Sequence, residues 1–333
     1  MTPALAAPLF TASIALMLLA SAWFARRLDQ IGVRLGLPEA LLGLLTALAA
    51  DAPEVSSAIS ALVQHEHAIA VGVVVGSNAF NLAAMLGLSA VIAARVRARH
   101  ETLELEGFVG LWLLAVMLAV VAGGLDTTAG VALVAVVVLP YVLLLAAGPR
   151  LARMLPLGAA ESRFVGRSFG EPHRPQRPLD SRREAFGVIA VLLFALCLIV
   201  AGSVGAVRSA TDLAQAWSVP DALVGVIVLA VLTSLPNAST GIRFGLQQRG
   251  SALMSETLNS NSINLVAGLA VPAALGSFTA FSGLAVFDLA WLLGMTGAAL
   301  VLFGRRGGAG RSAGAFLIVL YAAFVVVQVV AYT

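Results

Sequence analysis

One polar pattern occurs twice in this chain, in otherwise apolar surroundings. Residues 76–82 read Gly76-Ser-Asn-Ala-Phe-Asn-Leu82, and residues 259–265 read Asn259-Ser-Asn-Ser-Ile-Asn-Leu265, 183 positions later. The same shift relates the upstream segment Pro53-Glu-Val-Ser-Ser-Ala-Ile-Ser60 to Pro236-Asn-Ala-Ser-Thr-Gly-Ile-Arg243. Composition does not account for asparagines that return at matched positions in apolar segments, so the pattern indicates an internal repeat.

The identities extend beyond these two segments. Between positions 53 and 86, ten residues are identical at the shift of 183, namely Pro53/Pro236, Ser56/Ser239, Ile59/Ile242, Gln64/Gln247, Ser77/Ser260, Asn78/Asn261, Asn81/Asn264, Leu82/Leu265, Ala84/Ala267 and Leu86/Leu269. Upstream, Pro38-Glu-Ala-Leu-Leu-Gly43 matches Pro220-Asp-Ala-Leu-Val-Gly225 at a shift of 182. The repeated motif therefore spans 38–89 in the first copy and 220–272 in the second.

The amino-acid composition predicts that the chain folds within a membrane. Of the 333 residues, 60% are hydrophobic and 11% are charged, which is unlike a soluble domain. A membrane-spanning helix needs about 20 apolar residues. Ten such stretches are predicted, near 4–25, 37–62, 69–94, 107–124, 127–148, 185–207, 219–245, 253–275, 284–304 and 313–332.

The basic residues, all of them arginines, predict the orientation. With ten spans, 19 of the 20 arginines fall in alternate connections, and only Arg208 lies on the other side. Cytoplasmic loops retain the excess of basic residues. We therefore expect a multi-pass protein of the cell (inner) membrane with both termini outside and a basic, solvated cytoplasmic loop at 149–184. The pI of about 9.7 follows from this topology and does not indicate nucleic-acid binding.

The number of spans between the copies predicts their relative orientation. Five spans separate them, so the second copy crosses the membrane in the opposite sense, as in many secondary transporters. The predicted fold is an all-α polytopic membrane protein of ten transmembrane helices, arranged as two inverted five-helix repeats at 1–148 and 185–333. Pro53 and Pro236 predict broken helices at the midplane because proline lacks a backbone donor, and Gly76 predicts a third break.

These residues resemble the calcium/cation antiporter superfamily, which includes sodium/calcium exchangers. The family pattern is matched by Asp51-Ala-Pro-Glu54 with Gly76-Ser-Asn-Ala-Phe-Asn81, and by Thr233-Ser-Leu-Pro-Asn237 with Asn259-Ser-Asn-Ser-Ile-Asn264. About 55 residues in each half share the resemblance. It implies a secondary active cation antiporter that works by alternating access.

The resemblance also implies a set of cation ligands. Glu54 and Asn237 would face each other as central ligands, and both have oxygens of the kind that calcium prefers. A carboxylate at membrane depth independently indicates an ion or proton pathway. The other implied ligands or neighbours of the site are Asn81, Asn264, Asp51, Thr233, Ser234, Asn78 and Asn261.

The chain departs from the family pattern in its acids. Members usually have an acid after the proline in both copies, whereas this chain has Asn237 in the second and an extra Asp51 in the first. The metal-binding carboxylates are therefore predicted to be Glu54 and Asp51. Their charge could balance one calcium, two sodium ions or two protons. We favour protons over sodium as the coupling ion, because two neighbouring carboxylates in a low-dielectric site do not both ionise readily.

Several other residues have weaker functional interpretations. Glu256 replaces the family's usual asparagine and is either a residue of the inner mouth or a first-turn acid. Asp288 is expected at the membrane interface. His65-Glu66-His67 permits a zinc site but lacks a fourth ligand in sequence. Cys197 is expected to be a small buried hydrophobe.

The sequence leaves two classes of function open. The first is a cation antiporter that exchanges calcium, or another cation, for protons or sodium. The second is a non-transporting sensor or scaffold derived from such a transporter, which the loss of the acid at Asn237 permits. An enzyme is not expected, since no constellation of catalytic side chains occurs at membrane depth. The expected partners are inorganic cations and the lipid bilayer, with no cofactor beyond the transported ion and with a monomeric chain.

Overall fold

Helices form nearly all of the part of the chain that the computed structural model describes, residues 2–35, 45, 47–154, 182–274 and 283–332. The α-helices are α1 (Pro3–Leu35), α2 (Ala52–Val63), α3 (His67–Asn81), α4 (Ser89–Ile92), α5 (His100–Val121), α6 (Thr127–Met154), α7 (Arg182–Trp217), α8 (Asp221–Leu223), α9 (Ala230–Thr233), α10 (Leu235–Leu246), α11 (Gly250–Leu265), α12 (Val271–Ala274), α13 (Gly283–Phe303) and α14 (Arg311–Tyr332). The π-helical segments between them are π1 (Leu82–Leu88), π2 (Val224–Leu229) and π3 (Val266–Ala270). Strands β1 (Arg95–Val96) and β2 (Ala309–Gly310) pair antiparallel.

Several helices within the described residues are long enough to span a membrane. Six helical stretches are long and apolar enough to cross a membrane, and the bent pair Asp221–Thr233 and Leu235–Leu246 makes a seventh if it is counted as one span. Two shorter apolar helices cover Ala52–Val63 and Thr127–Leu143. The chain is therefore an all-helical, multi-pass membrane protein. In the second predicted span, residues 37–44 and 46 lie outside the described residues.

Helix also extends into both ends of the predicted loop at 149–184. Helix α6 continues to Met154, and α7 begins at Arg182. Residues 155–181 of that loop lie outside the described residues.

The sequence repeat has a counterpart in the secondary structure. Helices α2 and α10 begin and end at the same shift of 183 residues, and α3 and α11 begin at that shift. The turns that precede α3 and α11 contain His65 and Gln248, which both adopt positive φ angles, of 65° and 56°. Helices α3 and α11 are each followed by a π-helical segment. The two motif copies thus fold into matching elements.

The stretch from α3 to α4 lies inside the protein, and helix α7 lies at its outside. Within an 18-residue apolar window of His67–Ile92, 89% is buried in the protein, against 22% for the corresponding window of Phe186–Trp217. Helices α1 and α7 pack along each other, where Gly202 lets the α7 backbone approach the carbonyl of Ser13. Cys197, predicted to be buried, is exposed on α7, as expected for an apolar residue on a helix face that lipid can cover.

The predicted helix break at Gly76 is wrong, because α3 runs through this residue without interruption. Gly76 instead permits a close approach between two backbones. A Cβ atom at this position would clash with the carbonyl oxygen of Val226 in π2, and one at Gly72 would lie 2.8 Å from the nitrogen of Val226. The missing side chains let α3 and π2 touch directly.

We expect Gly76→Ala to lower the free energy of unfolding by about 3 kcal/mol, the upper range for overpacking, because the clashing atom is backbone and cannot rotate away. The matched control is Gly294→Ala, where a Cβ atom would meet nothing within 4 Å. That change should be neutral or stabilise its helix by up to about 1 kcal/mol. Thermal unfolding of the two purified variants measures the difference. Equal midpoints would contradict the packing argument.

Candidate functional site

Two local interruptions of helix bring the polar residues of the motifs together. Asp51 forms a bend between the helical residues 47–50 and α2, with φ −81° and ψ −5°. Ser234, its counterpart in the second copy, separates α9 from α10 with φ −86° and ψ 1°. Pro53 and Pro236 follow within the first two positions of the next helix, where a helix needs no backbone N–H, and their missing N–H prevents the preceding helix from continuing unbroken. The bend at Ser234 turns the helix axis by 48°.

The two carboxylates of the first motif lie next to each other and are completely buried. Asp51 and Glu54 each have 0% exposure. The Nδ2 atom of Asn237 donates to Asp51 Oδ1 at 2.8 Å and lies 3.0 Å from Glu54 Oε1. The hydroxyl of Ser260 also donates to Asp51 Oδ1. Asn237 therefore faces Glu54 across the site, and its amide N–H group points between the two carboxylates.

Helices α3 and α11 hold each other through a reciprocal pair of hydrogen bonds. Asn78 Nδ2 donates to the backbone carbonyl of Asn261 at 3.0 Å, and Asn261 Nδ2 donates to the backbone carbonyl of Asn78 at 3.2 Å. Segments π1 and π3 begin four and five residues after these carbonyls. A side chain that inserts into the helical hydrogen-bond ladder is a known cause of such irregular turns.

A second pair of equivalent hydrogen bonds extends the contact between α3 and α11 on both sides. Asn81 Nδ2 donates to Ser260 Oγ at 3.0 Å, and Asn264 Nδ2 lies 3.4 Å from Ser77 Oγ. Ser77 of α3 pairs with Asn264, and Asn81, one turn later, pairs with Ser260. Because the pairing runs in opposite directions along the two helices, α3 and α11 cross antiparallel here. The two copies thus meet face to face through equivalent residues.

The same network includes the side-chain oxygens of two predicted ligands, Asn78 and Asn261. The Oδ1 atom of Asn78 accepts from Asn264 at 3.0 Å, and Oδ1 of Asn261 accepts from Asn81 at 3.3 Å. Both ends of each amide are therefore used between the helices. Asn78 and Asn261 therefore hold the two helices together, and their place among the cation ligands stays a prediction.

The remaining motif side chains leave oxygens without partners. Buried side-chain oxygens that lack a hydrogen-bond partner are Asp51 Oδ2, Glu54 Oε2, Asn81 Oδ1, Ser234 Oγ, Asn237 Oδ1 and Asn264 Oδ1. Burying such groups without partners is costly, and native proteins rarely leave them so. Hard cations such as calcium take six to eight oxygen ligands from carboxylates, amides and carbonyls. Two carboxylates with amide and hydroxyl oxygens around them fit this chemistry.

Not every predicted site residue contributes in the same way. The hydroxyl of Thr233 is buried, but it donates to the carbonyl of Ala230 in its own helix at 3.3 Å. Asp288 is buried and accepts a hydrogen bond from Gln328 of α14, outside the motif helices. Within the described ranges, no group of three or more His, Cys, Asp or Glu side chains is placed to hold a metal, including at His65-Glu66-His67.

Ser260, which the sequence does not single out, contacts one of the carboxylates. Its hydroxyl donates to Asp51, and its oxygen accepts from Asn81 and, at 3.2 Å, from Asn237. A signal for it is present in the sequence, because Ser77 and Ser260 are identical in the two copies. Serine is common in helices, so this identity is a weaker signal than the matched asparagines.

The fold and the buried oxygen cluster are those of a polytopic membrane transport protein. The sequence profile of the family described as "Sodium/calcium exchanger protein" matches residues 5–147 and 187–330. These two stretches make up most of the chain, so the chain belongs to this family, whose members are transporters and not enzymes. The resemblance inferred from the motifs is confirmed.

Comparisons with individual proteins agree with this assignment. A segment of 93 residues is 31% identical to the sodium/calcium exchanger MaX1 of Methanosarcina acetivorans, and the alignment spans 28% of this chain and 26% of that protein. The sodium-calcium exchanger NCX_Mj, soaked with 10 mM Na⁺ and zero Ca²⁺, superimposes with a TM-score of 0.62 at 19% identity, covering 98% of this chain and 99% of that one. Native YfkE gives 0.63 at 15% identity, covering 97% and 91%. At these identities the structural likeness establishes the fold.

Proposed function

We propose that the protein is a secondary active antiporter that exchanges calcium, or another cation, for protons or sodium by alternating access. The observation that supports it most is the cluster of six unpartnered, buried oxygens around Asp51 and Glu54. No basic side chain forms a salt bridge with either carboxylate within the described part of the chain. Their combined charge of about minus two then matches one divalent cation.

The proposed architecture has ten spans in two inverted five-helix repeats. The antiparallel, reciprocal contacts between α3 and α11 support it, because inverted copies meet head to tail across a local two-fold axis. The family matches support it as well, since they start 182 residues apart, at 5 and 187, and end 183 apart, at 147 and 330. Alternating access in such folds moves one unit against the other around a fixed site.

The proposed orientation places the arginine-rich connections in the cytoplasm and both termini outside. Contacts between those connections support a common side. Arg95 pairs with Gly310 between β1 and β2, and the backbone N–H of Arg99 donates to Ser251 Oγ at 2.8 Å. Arg34 forms a salt bridge of 2.7 Å with Glu184. These contacts join three different arginine-bearing connections, those at or next to residues 95–99, 251 and 310.

Asn237 supports proton coupling over sodium coupling. It brings a neutral amide where the first copy has Glu54, so both central carboxylates come from the first copy and lie next to each other, which disfavours ionising both in the absence of a cation. A divalent cation can leave when two protons replace its charge on Asp51 and Glu54. The amide of Asn237 can face the site with its N–H group when the carboxylates are empty, and with its oxygen when a cation is bound.

Isotope flux into proteoliposomes tests this function. We expect ⁴⁵Ca²⁺ uptake that is driven by an outward proton gradient and that changes the internal pH in step. Uptake that needs an opposing sodium gradient and ignores pH would support sodium as the coupling ion. A folded protein that moves no cation under either gradient would favour the non-transporting sensor or scaffold instead.

A further inference from the structure

The two motif copies differ throughout the first parts of α3 and α11, and three of the differing positions bring polar side chains into α11. The first copy has Gly72, Val73 and Gly76, and the second has Ser255, Glu256 and Asn259 at the shift of 183. In α3 the two glycines allow the close contact with π2 described above. In α11 the matched positions have polar side chains at membrane depth. Such groups are costly there and usually functional.

These side chains face helix α5, which runs beside α11 in the same direction. The two helices begin together, where the backbone N–H of Arg99 donates to Ser251. Farther along, the hydroxyl of Ser255 donates to Glu106 Oε1 at 2.7 Å. Glu106 and Glu256 are each the seventh residue of their helix, so both lie about 9 Å along it at 1.5 Å per residue.

A directed chain of hydrogen bonds fixes the orientation of the Glu106 carboxyl group. The hydroxyl of Tyr141 donates to Asn259 Oδ1 at 2.6 Å, and Asn259 Nδ2 donates to Ser255 Oγ at 3.2 Å. Ser255 then donates to Glu106. Every donor points toward this carboxyl group, which ends the chain as an acceptor. The other carboxyl oxygen, Glu106 Oε2, is buried and has no hydrogen-bond partner.

Glu256 supplies a second unpartnered oxygen at the same height on the neighbouring helix α11. Its side chain is only 5% exposed, and its Oε1 atom has no hydrogen-bond partner. It interacts electrostatically with Asp51 and with Glu106, and also with the exposed Arg243. Across the described ranges, no salt bridge joins Glu106 or Glu256 to a basic side chain. A buried acid and a half-buried acid without a salt bridge are expensive, and a bound cation would remove that cost.

We propose that Glu106 and Glu256 form a second cation site, separate from the central one, that takes a hard divalent cation such as Ca²⁺. The site lies between the central carboxylates and the arginine-bearing ends of α5 and α11. A cation that moves between the central site and that side of the membrane passes from Asp51 to Glu256 and Glu106. Binding here does not depend on whether the central site transports.

Binding stoichiometry of Mn²⁺ tests the proposal, with electron paramagnetic resonance of purified protein as the readout. We expect two bound ions per wild-type chain. Glu54→Gln should leave one ion, and the double variant Glu106→Gln with Glu256→Gln should also leave one. The combination of all three changes should leave none. Glu104→Gln, an exposed acid on the same α5 helix, should keep both ions.

Other stoichiometries overturn one proposal or the other. A single wild-type ion that Glu54→Gln removes and that the double variant keeps would overturn the second site. A single ion that the double variant removes and that Glu54→Gln keeps would support the second site and contradict the proposed central one. If the double variant does not fold, Glu256→Gln alone should weaken the second ion at least tenfold, and unchanged affinity would overturn the proposal.

Discussion

Glu54→Gln is expected to abolish measurable cation exchange and to weaken binding of Ca²⁺ at the central site by at least about 30-fold. Glutamine keeps the size of the side chain and can still accept from Asn237, but it removes one of the two charges that face the ion. Truncating one partner of a buried charged contact typically costs 2–5 kcal/mol, and 1.4 kcal/mol is a factor of ten. Isothermal titration of the purified variant and ⁴⁵Ca²⁺ flux in proteoliposomes measure the two effects.

Two controls separate a lost ligand from a lost fold. The exposed acid Glu104, changed to glutamine, should leave both binding and flux unchanged. The variant at Glu54 should elute from size exclusion as the wild type does and keep its unfolding temperature without calcium. Full transport by a folded Glu54→Gln protein would show that the ion path lies elsewhere.

Asp51→Ser is expected to weaken Ca²⁺ binding at least tenfold, and adding Asn237→Glu should recover much of that loss. The first change copies Ser234 into the matched position of the first repeat and leaves Glu54 as the only central acid. The second change restores a second acid opposite Glu54, where the Asn237 side chain already lies 3.0 Å from it. We therefore expect the affinity for Ca²⁺ to depend on the total charge of the central carboxylates more than on which repeat supplies them.

The rescue has its own matched control. Asn237→Gln in the Asp51→Ser background adds the same length without charge, so it should recover nothing. Calcium titrations of the wild type, Asp51→Ser, Asn237→Glu and the variant with both changes form a double-mutant cycle with an expected coupling of the two sites. A folded Asp51→Ser, Asn237→Glu protein that binds no better than Asp51→Ser alone would refute the idea that Asp51 replaces the missing acid.

The repeat is the most informative feature of the sequence, for a physical reason. Two copies that meet face to face must match polar groups at equivalent positions, so Asn81 and Asn264 are recognisable from the amino-acid pattern alone. Pro53 and Pro236 mark the interruptions because proline lacks the backbone N–H that a continuous helix needs. Gly76 is ambiguous in sequence, since glycine either breaks a helix or lets another backbone approach, and only the neighbour in space decides between them.

Other parts of the site cannot be predicted from the chain. Asn78 and Asn261 have the same residue type as Asn81 and Asn264, and only the geometry shows that both ends of their amides bond between the helices. Glu106 and Tyr141 lie outside the repeated motifs and have no counterpart signal in the sequence. Their link to Ser255 and Asn259 depends on how α5 and α6 pack against α11, which no local pattern specifies.

The reciprocal asparagine contacts have a consequence for biosynthesis. The amides of Asn78 and Asn81 find their partners only after residues 260–264 have been made, about 180 residues later. At 5–20 residues per second the ribosome needs roughly 10–40 s for that interval. During that time the first half has entered the membrane with its amides and its two acids unpaired by the second half. Early helices must therefore remain loosely associated until the last ones arrive, and a truncated first half should be a substrate for quality-control proteases.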